Sequence, residues 1–336
     1  MAKDIAIDLG TSNTKVYIKG KGLVVAEPSV VSVNSRQDMV IAVGQQAKEM
    51  MGRAPESINA IKPVKDGVIG DFDAACHMVK AFIKQAMGQS YFGRPAVKLG
   101  FPIGITEVEE MALKEVAEAA GGRKPELIPA IATAAIGANL PFNTPKGVML
   151  VDIGGGTCEA AVLSMGGVVV SKLVRTAGKA IDDTIIPYIK KEYGMLIGER
   201  TAEEIKINIG SAIPRAQEEY MEVRGRDLYT GLPKNIRISS GEITDTIKDP
   251  VNTIITLIKS VLEETPPELL ADIIDEGITL TGGGALLGGI DKLIQLETGM
   301  TTVVAENPME CTIAGLGRCI ENEAVRKLPA MYNQRV

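Results

Sequence analysis

The chain has 336 residues and a mass of 35.6 kDa, too long for one core of ordinary size and about right for two domains. Hydrophobic residues make up 45% and charged residues 23%, the balance of a globular protein, which excludes a disordered or collagen-like chain. The net charge of −6, from 36 basic and 42 acidic residues, leaves no broad cationic field for a phosphate backbone, so nucleic acid is not an expected partner.

Cys76, Cys158, Cys311 and Cys319 form no CxxC pair and are expected as reduced thiols of a cytoplasmic protein. His77, the only histidine, stands between Cys76 and Met78 at what reads as a helix position, so neither a histidine zinc site nor a Ser-His-Asp triad is expected. The N-terminus enters a strand pattern within a few residues, and no run of about 18 apolar residues follows, so neither a signal peptide nor a membrane span is expected.

Strand and helix patterns alternate throughout, the mark of an α/β protein. Residues 4–25 read as a β-hairpin: the strand IAID, a tight Gly-Thr-Ser-Asn turn, an outgoing strand, and Gly20 and Gly22 at the next reversal. Thr106 and Glu109 form a capping box that opens EVEEMALKEVAEAA, with Val108, Met111, Ala112, Val116 and Ala119 as its apolar stripe and Gly121-Gly122 as its end. GVMLVDIGGGTCEAAVLSMGGVVVS repeats the first hairpin and sets Asp8 on Asp152, which suggests a duplicated lobe. Thr201 with Glu204 reads as a second capping box, for AEEIKINIG. VNTIITLIKSVLEE is a helix stopped by Pro266-Pro267, and Asn307-Pro308 opens a helix that reaches about Glu323.

Asp8 and Asp152 lie inside apolar strands, where a bare carboxylate costs several kcal/mol unless compensated. Either acid alone is equally well read as capping its own turn. As a pair, at the ends of corresponding strands and each before a Gly/Thr turn, they suit a hydrated divalent cation between two phosphate clamps. The turns are Gly10-Thr11-Ser12-Asn13 and Gly154-Gly155-Gly156-Thr157, whose backbone N–H groups can converge on phosphate oxygens while the hydroxyls add donors. A third run, Gly282-Gly283-Gly284, follows an apolar strand and opens a helix. It can pass under a ring or an α-phosphate, or serve only as a closely packed helix start.

This order of motifs resembles the actin, heat-shock-70 and sugar-kinase superfamily and, within it, the bacterial rod-shape actins, MreB and its paralogues. The likeness runs from residue 4 to about 325. It rests on IDLGTSNTKVYIKGKG, EPSVV, AKEMMGR, KPVKDGVIGDF, PIGITEVE, VDIGGGT, IGERTAEEIK, EVRGRDLYTGLPK, ETPPELLADI and LTGGGALLGGIDKL. The resemblance implies an actin-like two-lobed α/β fold of duplicated ribonuclease-H-like domains, with ATP in the cleft between them. Residues 1–29, 71–139 and 317–336 would form the first core and 140–178 with 246–316 the second. Residues 30–70 and 179–245 would be small subdomains. By the same resemblance Asp8 and Asp152 face Mg²⁺ through water, Thr11, Ser12 and Asn13 form the first phosphate loop, and Gly154 to Thr157 form the second. Glu203 and Lys206 would hold the nucleoside; their i and i+3 spacing puts them on one helix face, which alone equally suits a surface ion pair.

Three departures stand out. Family members carry a Glu-Pro pair after Leu-Ile, where the Glu positions or activates the attacking water; LIPAIATAAIGANLP has Ala130 and Ile131 there. Glu126 replaces that acid only with a register shift, so nucleotide binding is expected to survive while hydrolysis is slow. Lys15, seven residues after Asp8, either reaches the phosphates or points outward. RTAGKAIDDTI keeps Gly178 and Asp182 but has Lys179 and Ala180 where the family usually has acids.

Tyr91 and Phe92 are adjacent aromatics in a Gly- and Pro-containing loop with Arg94 and Lys98 behind, which suits a membrane interface. The matching loop of rod-shape actins inserts an apolar pair into the inner leaflet. The expected function is therefore an ATP- and Mg²⁺-binding cytoskeletal protein. It would polymerise with itself on the inner face of an anionic cytoplasmic membrane, alongside a membrane-embedded shape or wall-synthesis complex. A small-molecule kinase of the same superfamily and a non-polymerising accessory paralogue are the alternatives.

Overall fold

The computed structural model describes residues 4–37, 39–88 and 93–327. Two five-stranded sheets organise it. The first runs in the order Arg123–Pro129, Ala96–Phe101, Asp4–Leu9, Asn13–Ile18, Gly22–Pro28. The second, taken in the matching direction, runs Thr302–Val304, Ile278–Thr281, Val148–Ile153, Cys158–Ser164, Gly167–Val174. Each is a three-strand antiparallel meander extended by two parallel strands. The repeat read from the sequence is thus a repeat of topology, and Asp8 and Asp152 are the penultimate residues of equivalent strands.

The central strands are apolar on both faces. Ile5, Ala6 and Ile7, like Leu150 and Val151, are fully buried, as strands covered by helices on both sides must be. Helices Phe72–Met87 and Glu107–Ala119 close the outer face of the first sheet. Helices Gly178–Tyr193 and Lys248–Glu264 pack on the second. Between the sheets, Ala130–Gly137 and Cys311–Glu321 share one core with Ala6 and Ile128 of the first sheet and Leu150, Ala161 and Leu163 of the second. These two helices touch backbone to backbone: a Cβ on Gly137 would lie 1.9 Å from the carbonyl oxygen of Cys311, and one on Gly315 1.8 Å from that of Thr133.

The result is a two-lobed α/β fold. Two three-stranded sheets are added to it. Val31–Asn34 lies between Met39–Val43 and Ile58–Ile61, within residues 30–70, and Tyr220–Asp227 lies between Met195–Leu196 and Pro233–Ser239, within residues 179–245.

Several helix expectations need correction. The capping box at Thr106 and Glu109 forms on both sides, but the buried face of that helix is Leu113, Val116 and Ala117, while Val108 and Met111 are exposed. An Ala/Glu-rich helix offers two faces of similar polarity, and packing against the sheet selects the one with Leu113. Thr201 and Glu204 form no box, because the helix starts earlier, at Glu199 after Gly198. Asn307 adopts a left-handed conformation without capping, and Pro308 opens a 3₁₀ turn that leads into Cys311–Glu321. The long helix before Pro266 begins at Lys248, with Pro250 tolerated in its first turn.

Candidate functional site

Because the parallel strands of both sheets end on the same side, the loops after them face one another across a cavity of about 420 Å³, in the range of small-molecule sites. Every residue that the sequence placed at the phosphate loops, the metal and the nucleoside lines it: Asp8, Gly10, Thr11, Ser12, Asn13, Lys15, Asp152, Gly154, Gly155, Gly156, Thr157, Glu203, Lys206, Gly282, Gly283 and Gly284. Ala130 lines it too, as a bare methyl group.

The two glycine turns have the same geometry. The amide of Gly10 donates to the carbonyl of Asn13 at 3.1 Å, and that of Gly154 to Thr157 at 2.9 Å. They also meet each other. A Cβ on Gly155 would lie 2.0 Å from Ser12 Oγ, and one on Gly156 2.5 Å from Thr11 Oγ1, so only glycine fits where the lobes come together. A hairpin turn at Asp66-Gly67, both at positive φ, packs on this junction, and the Gly67 amide donates to Thr11 Oγ1 at 3.2 Å. Sequence reasoning passed over it, although Asp-Gly flanked by Val and Lys is the signature of such a turn.

The third glycine run divides its roles. Gly282, at φ +80°, and Gly284 are pressed against Ile153, where a Cβ would lie 2.3 Å from protein atoms, whereas Gly283 has open space before it. The expected helix is a short 3₁₀ turn, Gly283–Leu286.

Charge is concentrated at the base of the cavity. The Asp152 carboxyl is pushed up to about 6 by burial and by the charge of Asp8, against the hydrogen bond donated by Thr281 Oγ1 at 2.9 Å. Lys15, opposite Asp8 in the strand register, reaches it at 3.4 Å instead of pointing outward. Two carboxylates with one lysine leave an excess of negative charge, and Mg²⁺ characteristically joins one or two carboxylates to phosphate oxygens. The residues therefore fit a nucleoside triphosphate with its cation. Among the described residues no cluster of three or more His, Cys, Asp or Glu is poised to hold a metal by itself.

Glu203 and Lys206 do not pair with one another. Lys206 Nζ contacts Asp182 at 2.8 Å and donates to the carbonyl of Gly178 at 2.9 Å, while burial pushes the Asp182 carboxyl up to about 6 despite that lysine. Glu203 accepts from Lys48 at 2.7 Å, and Lys62 contacts Glu199, so two ion pairs cross the mouth of the cleft. Arg175 and Glu109 form a third link between the lobes at 3.0 Å. Lys179 is occupied by Asp183.

Sequence reasoning also missed Glu159. It is 3% exposed, it lines the cavity, and burial holds its carboxyl well above the usual range, with the nearby Asp152 adding to the effect. The repeat that maps Asp8 on Asp152 maps Lys15 on Glu159, each directly opposite its Asp in the register. Glu126, by contrast, stays on its strand opposite Lys98 and pairs with it, away from the cavity. His77 is exposed on its helix, with Nδ1 near the carbonyl of Asp73. Cys76, Cys158, Cys311 and Cys319 form no disulfide among the described residues. Tyr91 and Phe92 lie outside the described residues. No described helix is long and apolar enough to cross a membrane.

A profile of the MreB/Mbl protein family matches residues 2–327. The chain is 47% identical to the cell shape-determining protein Mbl of Bacillus subtilis over 98% of both chains. It is also 47% identical to the cell shape-determining protein MreB of Escherichia coli, over 95% of this chain and 94% of that one. The crystal structure of MreB5 of Spiroplasma citri bound to ADP superposes with a TM-score of 0.91 at 37% identity, covering 98% of each chain. The MamK double helical filament shares the fold, with a TM-score of 0.79 at 20% identity over 96% of this chain and 99% of that one. From the duplicated sheets to the paired glycine turns and these relatives, the chain belongs to the MreB/Mbl family of actin-like proteins.

Proposed function

We propose that this protein binds ATP with Mg²⁺ in the cleft and polymerises into membrane-associated filaments that support cell shape or wall elongation, with slow hydrolysis. The observation that carries this reading is the pair of equivalent glycine turns, each behind a carboxylate, that face one cavity. Its relatives support it. MreB and Mbl are cell shape-determining proteins, MreB5 is seen with ADP and with AMPPNP, and MamK is seen as a double helical filament.

In this reading the amides and hydroxyls of Thr11, Ser12, Asn13 and Thr157 hold the phosphates. Gly282 to Gly284 give the base or α-phosphate close access, and Glu203 and Lys206 position the nucleoside from helix Glu199–Ile209. Asp8 and Asp152 take the cation through water, and its charge when bound neutralises that of the phosphates. Lys15 balances Asp8 and stands within reach of the same phosphates. The small subdomains 30–70 and 179–245 close over the nucleotide and join the charges of Lys48, Lys62, Glu199 and Glu203 at the mouth. Head-to-tail contact between such copies is heterologous and does not close, so it builds a filament. Tyr91 and Phe92 repeat along that filament on its membrane side and gain by avidity what two rings lack.

The methyl group at Ala130 favours a second reading, a paralogue that stays in the ATP state and modulates another filament. The test is sedimentation with and without Mg²⁺-ATP and anionic liposomes, with phosphate release followed in the same tubes. Nucleotide-dependent pelleting with little phosphate supports the first reading. Intact binding without pelleting selects the second.

A further inference from the structure

Glu159 has no role in the account above, yet its surroundings are costly to build. It is the charged residue most deeply buried in the described structure, and its neighbour across the strand pair is another acid, Asp152. An acid placed beside an acid at the base of a cleft weakens the fold unless chemistry requires it there. The equivalent place in the first lobe is held by Lys15, which neutralises its own Asp8. At this cleft-facing position the second lobe therefore departs from the repeat by putting an acid where the first has a base.

The orientation of the side chain is fixed from the opposite lobe. Oε1 accepts the backbone N–H of Ile103 at 3.1 Å, in the loop that follows strand Ala96–Phe101. Among the described residues Oε2 takes no hydrogen bond, and Glu159 lines the cavity together with the second glycine turn. It thus keeps one oxygen available in the cavity that the glycine turns and the methyl group of Ala130 also line. Hydrolysis of a terminal phosphate needs such an acceptor to orient the attacking water.

We propose that Glu159 orients the attacking water in this chain, taking the part that the residue at Ala130 cannot play. The inference rests on the reading of the cleft as an ATP site. The water oxygen forms a bond to the γ-phosphorus as the bond from that phosphorus to the β,γ-bridging oxygen breaks. The electron pair leaves with ADP, and the proton of the water ends on the inorganic phosphate. Glu159 accepts a hydrogen bond from the water throughout and gains no net proton. Because its other oxygen is held by Ile103 of the first lobe, the acceptor is in place only when the lobes are closed.

The deciding variant is Glu159→Gln. It keeps the volume, and its amide oxygen retains the bond from Ile103, but a donor replaces the acceptor at the Oε2 position. Three quantities are read on the full chain: the thermal midpoint without nucleotide, the affinity for a fluorescent ATP analogue, and phosphate release in a single turnover. The expected result is a loss in release of at least about tenfold, with affinity changed less than about threefold and no lower thermal midpoint. Adding Ala130→Glu to Glu159→Gln is expected to restore release, a rescue that a purely structural role does not predict. Unchanged release in Glu159→Gln with binding intact overturns the proposal alone. An unaltered chain that binds ATP but releases no phosphate also overturns it. An unaltered chain that binds no ATP overturns both the proposal and the reading beneath it.

Discussion

At Asp152, burial and the neighbouring Asp8 act in one direction, against the hydroxyl of Thr281 and the charge of Lys15. Its carboxyl, at about 6, stands above the value of about 3.8 expected in the unfolded chain, so the native state binds the extra proton. In the nucleotide-free protein this penalty is complete above about pH 6 and fades as the pH falls toward 4. Asp152→Asn is therefore expected to stabilise the nucleotide-free protein at pH 7.5 by about 1 to 3 kcal/mol and to lose the thermal shift given by Mg²⁺-ATP. Melting curves at pH 7.5 and 5.5, with and without nucleotide, check both. Ala130→Glu acts on the other side of the cavity. It is expected to raise the rate of phosphate release without tightening ATP binding, and by a larger factor in the Glu159→Gln chain than in the unaltered one, where Glu159 already holds the water; an equal factor in both means that Glu159 does not. Residues with a clear local pattern, such as the Asp before each glycine turn, were legible because strand, acid and turn are contiguous. Glu159 was not, since CEAAVLS reads as an ordinary strand and only the register against Asp152 shows that its one acid faces the cleft.

Among the elements, the crossing of helices Ala130–Gly137 and Cys311–Glu321 joins the two lobes. The closeness of that crossing depends on Gly137 and Gly315. A methyl group at residue 315 has a rigid carbonyl in its place and no flexible side chain to displace, so Gly315→Ala forces the helices apart. The expected loss is about 2 to 4 kcal/mol, read as a lower midpoint in urea unfolding; a loss below about 0.5 kcal/mol means that the crossing relaxes freely. This contact was invisible in the sequence because it joins residues far apart in the chain, and a glycine within a helix carries no local sign of its partner. The capping boxes show the same limit. Thr106 with Glu109 marks a true helix start because the chain before it is extended, whereas Thr201 with Glu204 falls inside a helix whose first residue is set by Gly198.

For the whole molecule, the duplicated order of strands makes the cleft a junction of two similar surfaces, and the ion pairs Lys48–Glu203 and Lys62–Glu199 span its mouth. Both are half exposed, so each contributes up to about 1 kcal/mol and is screened by salt. Replacing Lys48 and Lys62 together by alanine is expected to speed nucleotide release a few-fold at low ionic strength, and the difference from the unaltered chain should vanish as salt is raised. Stopped-flow displacement of a fluorescent nucleotide measures it. The duplication also has a consequence for symmetry. Lys15 and Glu159 occupy the same place in the two halves, one of each sign. Two copies of the first half facing each other would bring two lysines into one cavity, and two copies of the second would bring two glutamates beside two aspartates. The cleft therefore takes a base from one half and an acid from the other at equivalent places, a pattern that two copies of either half would not reproduce.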